Sequence, residues 1–269
     1  MTMAPHMIRL TSRSLISLSG PDWRSFLQGL VTQDVDSLAV GEIRFGALLT
    51  PQGRLLNDLF LIGRQDGVWL DIQATQRDAL IQKLTLYRLR AKVVIEGDDT
   101  AVSADIGDGT EGLTDPRLPG LGRRIYGSVE AHEDEAAYWD HCRRLGVPGP
   151  ADWGEDRTYP IEANFDLLNG IDFQKGCFVG QETTSRMKRR GIIKSRMLPL
   201  VFDGAAPAPG TEVLAGDLRA GEVLSGGEGR AMALVRLDRA VGASLTVDGR
   251  PAHVEVPAWM ADAVAEPAG

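Results

Sequence analysis

Cysteine is scarce in this chain: Cys142 and Cys177 are the two thiols in 269 residues. A pair so far apart does not make a disulfide framework, and it fits a reducing compartment. Histidine is scarce too. His6, His132, His141 and His253 are scattered without the spacing of a zinc site. No run of about 18 apolar residues occurs, so no membrane-spanning helix is expected. There is no glycine-rich phosphate loop and no nucleophile elbow. Positive charge is in short supply overall, with a net charge of −8 and a pI of about 5.1. That argues against a general nucleic-acid binder, which carries a basic surplus. The first residues, Met1 to Leu10, hold neither a long apolar run before a cleavage site nor a basic, Ser-rich leader. The cytoplasm is therefore the expected location.

What is present suffices for a folded body. Hydrophobic residues make up 43% of the chain, enough for two or three subdomains. Leu15, Ile16 and Leu18 read as a strand. Ser19 reads as the N-cap of a helix whose apolar stripe is Trp23, Phe26, Leu27 and Leu30. Glu42 to Leu49, Arg54 to Ile62 and Val68 to Ile72 form an antiparallel meander. Thr75 reads as the cap of a helix reaching Tyr87, and Lys92 to Glu96 returns as a strand. Residues 97–120 read as acidic, Gly-rich loops. A helix near Asp134 to Leu145 places Cys142 on its buried face, as a structural thiol. After Leu198 short apolar runs alternate with Gly and Pro, the texture of a small β-barrel. The expected class is α+β, with residues 1–197 as one domain of two subdomains and 198–269 as a C-terminal β-barrel.

Three places can carry chemistry. The densest is Phe173-Gln174-Lys175-Gly176-Cys177-Phe178-Val179-Gly180-Gln181-Glu182. Gln181 to Arg190 reads as a helix, with Glu182 in its first turn, basic residues in its last, and Gly191 as its stop. Cys177 then stands ahead of a helix N-terminus and two residues from Lys175, both of which favour thiolate over thiol. The other reading of Cys177 is a small hydrophobe beside Phe178. From Lys175 to Arg196, seven basic residues face the one acid Glu182, so the strip carries +6 and the rest of the chain −14. Such a strip is either a solvated helix face or a receptor for a polyanion or acidic partner. The second place is Asn57-Asp58, where a carboxylate lies on an otherwise apolar strand face with Leu56, Phe60 and Ile62. It either accepts hydrogen bonds from a ligand, pairs with an arginine, or marks a bulge. The third is Glu162, among the apolar residues of Pro160-Ile161-Glu162-Ala163-Asn164-Phe165.

The segment Lys175-Gly176-Cys177-Phe178-Val179-Gly180-Gln181-Glu182 resembles the signature of the YgfZ family and its mitochondrial iron–sulfur assembly relatives. Glu162-Ala163-Asn164, Leu168-Asn169-Gly170, Arg186 and Gly191 fit the same pattern, as do Phe26-Leu27-Gln28-Gly29, Gly53-Arg54 through Asp58, and Tyr87-Arg88-Leu89-Arg90. The wider family includes the aminomethyltransferase of the glycine cleavage system. The resemblance implies an aminomethyltransferase-like fold of three subdomains in a ring, and a tetrahydrofolate site contacted by Asn57, Asp58, Glu162, Lys175 and Arg186. It further implies a working thiol, Cys177. Two cysteines cannot hold a four-iron cluster alone, so Cys177 is expected to act transiently with iron–sulfur scaffold or client proteins, ligating one iron or exchanging with a thiol or persulfide, with no resident metal site. That enzyme carries paired aspartates where this chain has Asn57-Asp58, and it lacks the Cys177 motif. An assembly or repair factor is thus expected before a folate-dependent aminomethyl or methyl transferase, which stands as the alternative.

Overall fold

The computed structural model describes residues 6–154, 156–191 and 193–265, with the side chain of Arg190 also outside the description. The initial Met1 to Pro5 therefore lies outside the described residues. The chain divides into two compact units, Met1–Tyr138 with Leu168–Gln181, and Trp139–Leu167 with Glu182–Gly269. This division is discontinuous, unlike the single break expected near 198. Residues 139–167 and 182–197 cluster with the barrel, because two returns of the chain bring them there.

The first unit opens with β1 (Met7–Arg9), β2 (Arg13–Ser19) and α1 (Trp23–Gln28), followed by β3 (Ile43–Leu49), β4 (Leu55–Arg64) and β5 (Gly67–Gln73). Next come α2 (Arg77–Arg88), β6 (Val94–Asp98), β7 (Val102–Asp105), β8 (Leu113–Thr114) and β9 (Arg123–Tyr126). β3, β4 and β5 form the expected meander, extended by β2 and β6 into a five-stranded antiparallel sheet of order β3-β4-β5-β2-β6. Strand alternation gives this sheet two unlike faces. One presents Ile16, Leu18, Leu59, Leu61, Val68, Leu70 and Ile72, which pack with Trp23 and Leu27 of α1 and Leu80 and Leu84 of α2. Each such side chain contributes about 1.5–3 kcal/mol on burial. The other face presents Arg13, Asp58, Phe60 and Asp71.

Three local readings need correcting. Ser19 ends β2 rather than capping α1, whose N-cap is Asp22. Thr75 lies inside a single 3-10 turn, Ala74–Gln76, and Gln76 stands at the N-cap of α2 without a side-chain cap bond. Residues 97–120 are more than loops. They supply β7 and β8 to a second sheet of order β1-β7-β9-β8. Its strands are two to four residues long, too short for alternation to show in sequence.

α3 (Ala136–Arg144) and α4 (Gln181–Arg190) cross the division between units. The second unit continues with β10 (Ser195–Phe202), β11 (Glu212–Ala215), β12 (Leu218–Gly227), β13 (Arg230–Arg236), α5 (Leu237–Ala240), β14 (Leu245–Val247), β15 (Arg250–Val254) and α6 (Ala261–Ala265). The six strands close as β10-β13-β12-β11-β14-β15, which leaves no open sheet edge. Leu198, Leu200, Val213, Val223, Ala233, Val235 and Leu245 fill its core. Register shifts at Val213/Leu214 and Val223/Ser225 supply the bends that closure requires. Among the described residues no helix is long and apolar enough to cross a membrane.

Candidate functional site

Cys177 is exposed, whereas Cys142 is buried at 1%. The loop carrying Cys177 belongs to the first unit and is fastened on both sides. Before the thiol, the Asp172 N–H donates to Thr32 O (2.9 Å), and the Asp172 carboxylate accepts the N–H groups of Gln174 and Lys175. Beyond it, the Val179 N–H donates to Gly29 O (3.1 Å), Phe178 is buried, and Gln181 Oε1 accepts the Phe178 N–H (3.2 Å). Gly180 is required here. Its φ is +81°, and a Cβ would meet Thr50 O at 2.5 Å. At Gly176 a Cβ would meet nothing within 4 Å, so the backbone beside the thiol faces open space.

Lys175 has a different task from the one expected. Its ammonium donates to three backbone carbonyls, Gln28 O (2.8 Å), Val31 O (2.7 Å) and Gln33 O (2.9 Å). Gln28 is the last residue of α1, whose final carbonyls lack helical partners, and Val31 and Gln33 lie in the segment that follows it. Burial pulls the Lys175 pKa down to about 8, against the fields of Asp34, Asp172 and Asp36. The ammonium also lies 5.3 Å from the Phe178 ring centroid. Lys175 is therefore a clamp joining the thiol loop to α1, with its three protons committed inside the protein.

Asn57 and Asp58 belong to the same unit and are buried, at 8% and 4% exposure. The Asn57 amide donates to Gln76 Oε1. Arg13 donates to Asp58 Oδ2 (2.7 Å) and to Asp71 Oδ1 (2.7 Å). Of the readings open for Asp58, the arginine pair is what the geometry shows. Arg13 takes one carboxylate oxygen and leaves Oδ1 as an acceptor.

That pair is the edge of a larger buried network that the sequence did not reveal. Asp71 also accepts hydrogen bonds from Arg124 and from the Tyr126 hydroxyl (3.0 Å). Arg117 grips Asp115 through Nε (3.0 Å) and Nη2 (2.8 Å) and donates to the Tyr138 hydroxyl. The Phe60 ring lies under all three guanidinium groups, at 3.9 Å from Arg124, 5.0 Å from Arg117 and 5.5 Å from Arg13. Burial pushes the Asp71 carboxyl up, but Arg124 and Arg13 outweigh it and hold its pKa below the ordinary value. Tyr126 is driven well above its ordinary value by burial and by Asp71. The bonds that Arg13 and Asp71 make with Asp58, Arg124 and Tyr126 span 45 to 58 positions in sequence, which is why no local spacing announced them.

Glu162 and Arg186 lie in the second unit. Glu162 is half-buried, and its carboxylate accepts the Tyr159 N–H (2.9 Å). Arg186 is exposed on α4. The basic strip does not form one face. Arg196 is buried and takes both oxygens of Asp166 (2.9 and 3.0 Å), Lys188 reaches Asp166 at 3.3 Å, and Lys175 is committed elsewhere. Arg186, Arg189 and Lys194 are exposed, and the Arg190 side chain lies outside the described residues. Gln181 and Glu182 sit in the first turn of α4 as expected, and Gly191 ends it at φ +65°. The signature asparagines are structural. Asn164 (φ +62°) donates to Met197 O and accepts from Arg196, while Asn169 (φ +56°) donates to Pro116 O.

Residues 194–262 match the family described as CAF17, C-terminal beta-barrel domain. The chain is 31% identical to the iron–sulfur cluster assembly factor IBA57 homolog, mitochondrial, of Pyricularia oryzae, over 90% of this chain and 74% of that protein. The homolog from Neurospora crassa is 31% identical over 75% of this chain and 55% of its own length. That from Phaeosphaeria nodorum is 36% identical over 72% and 54%. The chain thus spans about half the length of these last two relatives. Each relative is named mitochondrial, which overturns the expectation of a cytoplasmic location. Among solved structures, the glycine cleavage system aminomethyltransferase T from Bartonella henselae superposes with a TM-score of 0.72 at 17% identity, covering 94% of this chain and 85% of that one. At that identity the likeness establishes the aminomethyltransferase-like fold alone.

Proposed function

The chain belongs to the IBA57 family of iron–sulfur cluster assembly factors, and from that membership we propose that it assists cluster assembly or repair in client proteins through the thiol of Cys177. The observation that carries this reading is the exposure of Cys177 on a loop anchored on both sides. A loop so anchored presents its sulfur in one place without paying ordering entropy at each encounter. The common four-iron cluster takes four thiolates, and this chain offers one reachable thiol. The cluster, as cargo, is then completed by a scaffold or client protein. Cys177 gives up its proton, binds one iron as thiolate, and releases that iron as the cluster passes on. Replacing Cys177 with Ala in cells lacking the native protein should abolish recovery of a cluster-dependent enzyme's activity, while Cys142→Ala should restore it. Full recovery with Cys177→Ala removes the thiol from the mechanism.

Tetrahydrofolate is the proposed small ligand. Its support in the first unit is Asp58, whose carboxylate is oriented by Arg13 through one oxygen and can accept a pterin N–H on the other. Lys175 does not fit that role, since its protons are already spent on carbonyls. Calorimetry with tetrahydrofolate should show saturable binding that Asp58→Asn weakens about tenfold, the loss of one charge-assisted hydrogen bond. Equal affinity of the two proteins would take Asp58 out of the site.

A further inference from the structure

A second feature of the first unit has no part in the thiol or folate proposals. A cleft of about 860 Å³ opens beside the β4–β5 hairpin, where the ends of β2, β4 and β5 meet β8 and β9. That is the size range of small-molecule sites. None of Asn57, Asp58, Lys175 and Cys177 lines it.

Its wall is aromatic. Trp69 and Tyr126 lie with ring centroids 6.2 Å apart, and the Tyr126 hydroxyl is fixed by Asp71. Trp69 Nε1 donates to Asp98 Oδ2 (3.0 Å), while Asp98 Oδ1 accepts the Thr100 N–H (2.9 Å), so indole and carboxylate are held as one piece. Asp98 stays readily ionised. Burial opposes its charge, but the bonds from Thr100 and Trp69 and the nearby Arg64 lower its pKa.

The charge of the cleft is acidic. Asp66, Asp98 and Glu111 line it, and of the two arginines that also do so, Arg124 is neutralised by Asp71. The other, Arg64, lies on the exposed hairpin end and stacks its guanidinium 3.6 Å from the Trp69 ring centroid. An aromatic face backed by a carboxylate is a cation receptor, and here the chain's own side chain covers it.

We propose that this cleft binds a small organic cation with a guanidinium or amine head, which displaces Arg64 from Trp69 and sits between the indole face and the carboxylates of Asp98 and Asp66. Arg64 is then an internal competitor. With Arg64 covering the ring roughly three-quarters of the time, as an exposed cation–π contact does, its removal raises apparent affinity about fourfold.

The test is calorimetric titration of the full chain with agmatine, followed in parallel by tryptophan fluorescence. Wild type should bind saturably, Arg64→Ala about fourfold more tightly, and Asp98→Asn more weakly, with Trp69→Phe losing the fluorescence change. Arg64 is exposed, so its truncation leaves the fold intact. The proposal is overturned if agmatine fails to saturate both wild type and Arg64→Ala, or if Arg64→Ala binds no more tightly than wild type.

Discussion

The barrel and the second face of the five-stranded sheet are buried by opposite means, although the first unit has an aliphatic core of its own on the other face of that sheet. The barrel core is aliphatic, filled by side chains such as Leu198, Leu200, Val213 and Val235. The second face of the five-stranded sheet is ionic, with Arg13, Arg117, Arg124, Asp58, Asp71 and Asp115 all buried around Phe60. Aliphatic burial is non-directional and tolerates repacking. A buried ionic network holds only while each charge keeps its partner, since desolvating an unpaired charge costs several kcal/mol. The barrel gains cohesion that is insensitive to pH. The ionic face gains geometric definition, and with it a dependence on protonation.

The sharpest way to break this contrast is to remove one charge. Asp71→Ala leaves Arg13 with Asp58 alone and takes from Arg124 its close carboxylate, and should destabilise the protein by about 3–5 kcal/mol in urea unfolding at neutral pH. Leu200→Ala in the barrel should cost about 2–5 kcal/mol by leaving a cavity. The two differ in their response to acid. The folded-state pKa of Asp71 lies below its ordinary value of about 3.9. Its stabilisation is complete above about pH 4 and drains away as the pH falls through the folded value. The cost of Asp71→Ala should therefore shrink on acidification, while that of Leu200→Ala stays constant. Asp152, in the second unit, has the opposite sign. Burial raises its pKa against the bonds from Gly149 and Ser225, so its contribution is recovered, not lost, in acid. Equal acid sensitivity of the two variants would erase the distinction.

A smaller effect is expected at Lys175. Lys175→Met should leave both cores packed but speed amide exchange at residues 28–33 and in the thiol loop, because the carbonyls of Gln28, Val31 and Gln33 lose their shared donor. With its pKa depressed to about 8 from an ordinary 10.5, Lys175 makes stability rise with pH across that window. The variant should flatten this rise. An unchanged slope would detach the lysine from the stability of the loop. The smallest effect belongs to Cys177→Ser, which should change unfolding free energy by less than about 0.5 kcal/mol, as suits an exposed residue.

The same contrast explains what could be read from the sequence. All six barrel strands announced themselves as short apolar runs between Gly and Pro, and α4 ran from Gln181 to Arg190 as its caps foretold. Cys142 was legible as buried from its place on a helix face. The ionic face was not legible, since Arg13, Asp71 and Arg124 meet only after two sheets have formed. The basic strip misled for the same reason. Its seven cations were adjacent in sequence, yet Lys175 and Arg196 turn inward to carbonyls and to Asp166. Local pattern reveals periodicity and caps, but the destination of a long charged side chain is set by tertiary structure.

The proposed chemistry has one reachable sulfur, Cys177, meeting the iron of a passing cluster. Alkylation of the native chain under anaerobic conditions, followed by mass spectrometry at both cysteines, addresses it directly. Cys177 should react while Cys142 stays silent, and a cluster-loaded scaffold protein should slow the Cys177 reaction about tenfold, equivalent to about 1.4 kcal/mol of protection. The same scaffold without its cluster should leave the rate unchanged. A Cys177 rate indifferent to the loaded scaffold would mean that this sulfur does not meet the iron.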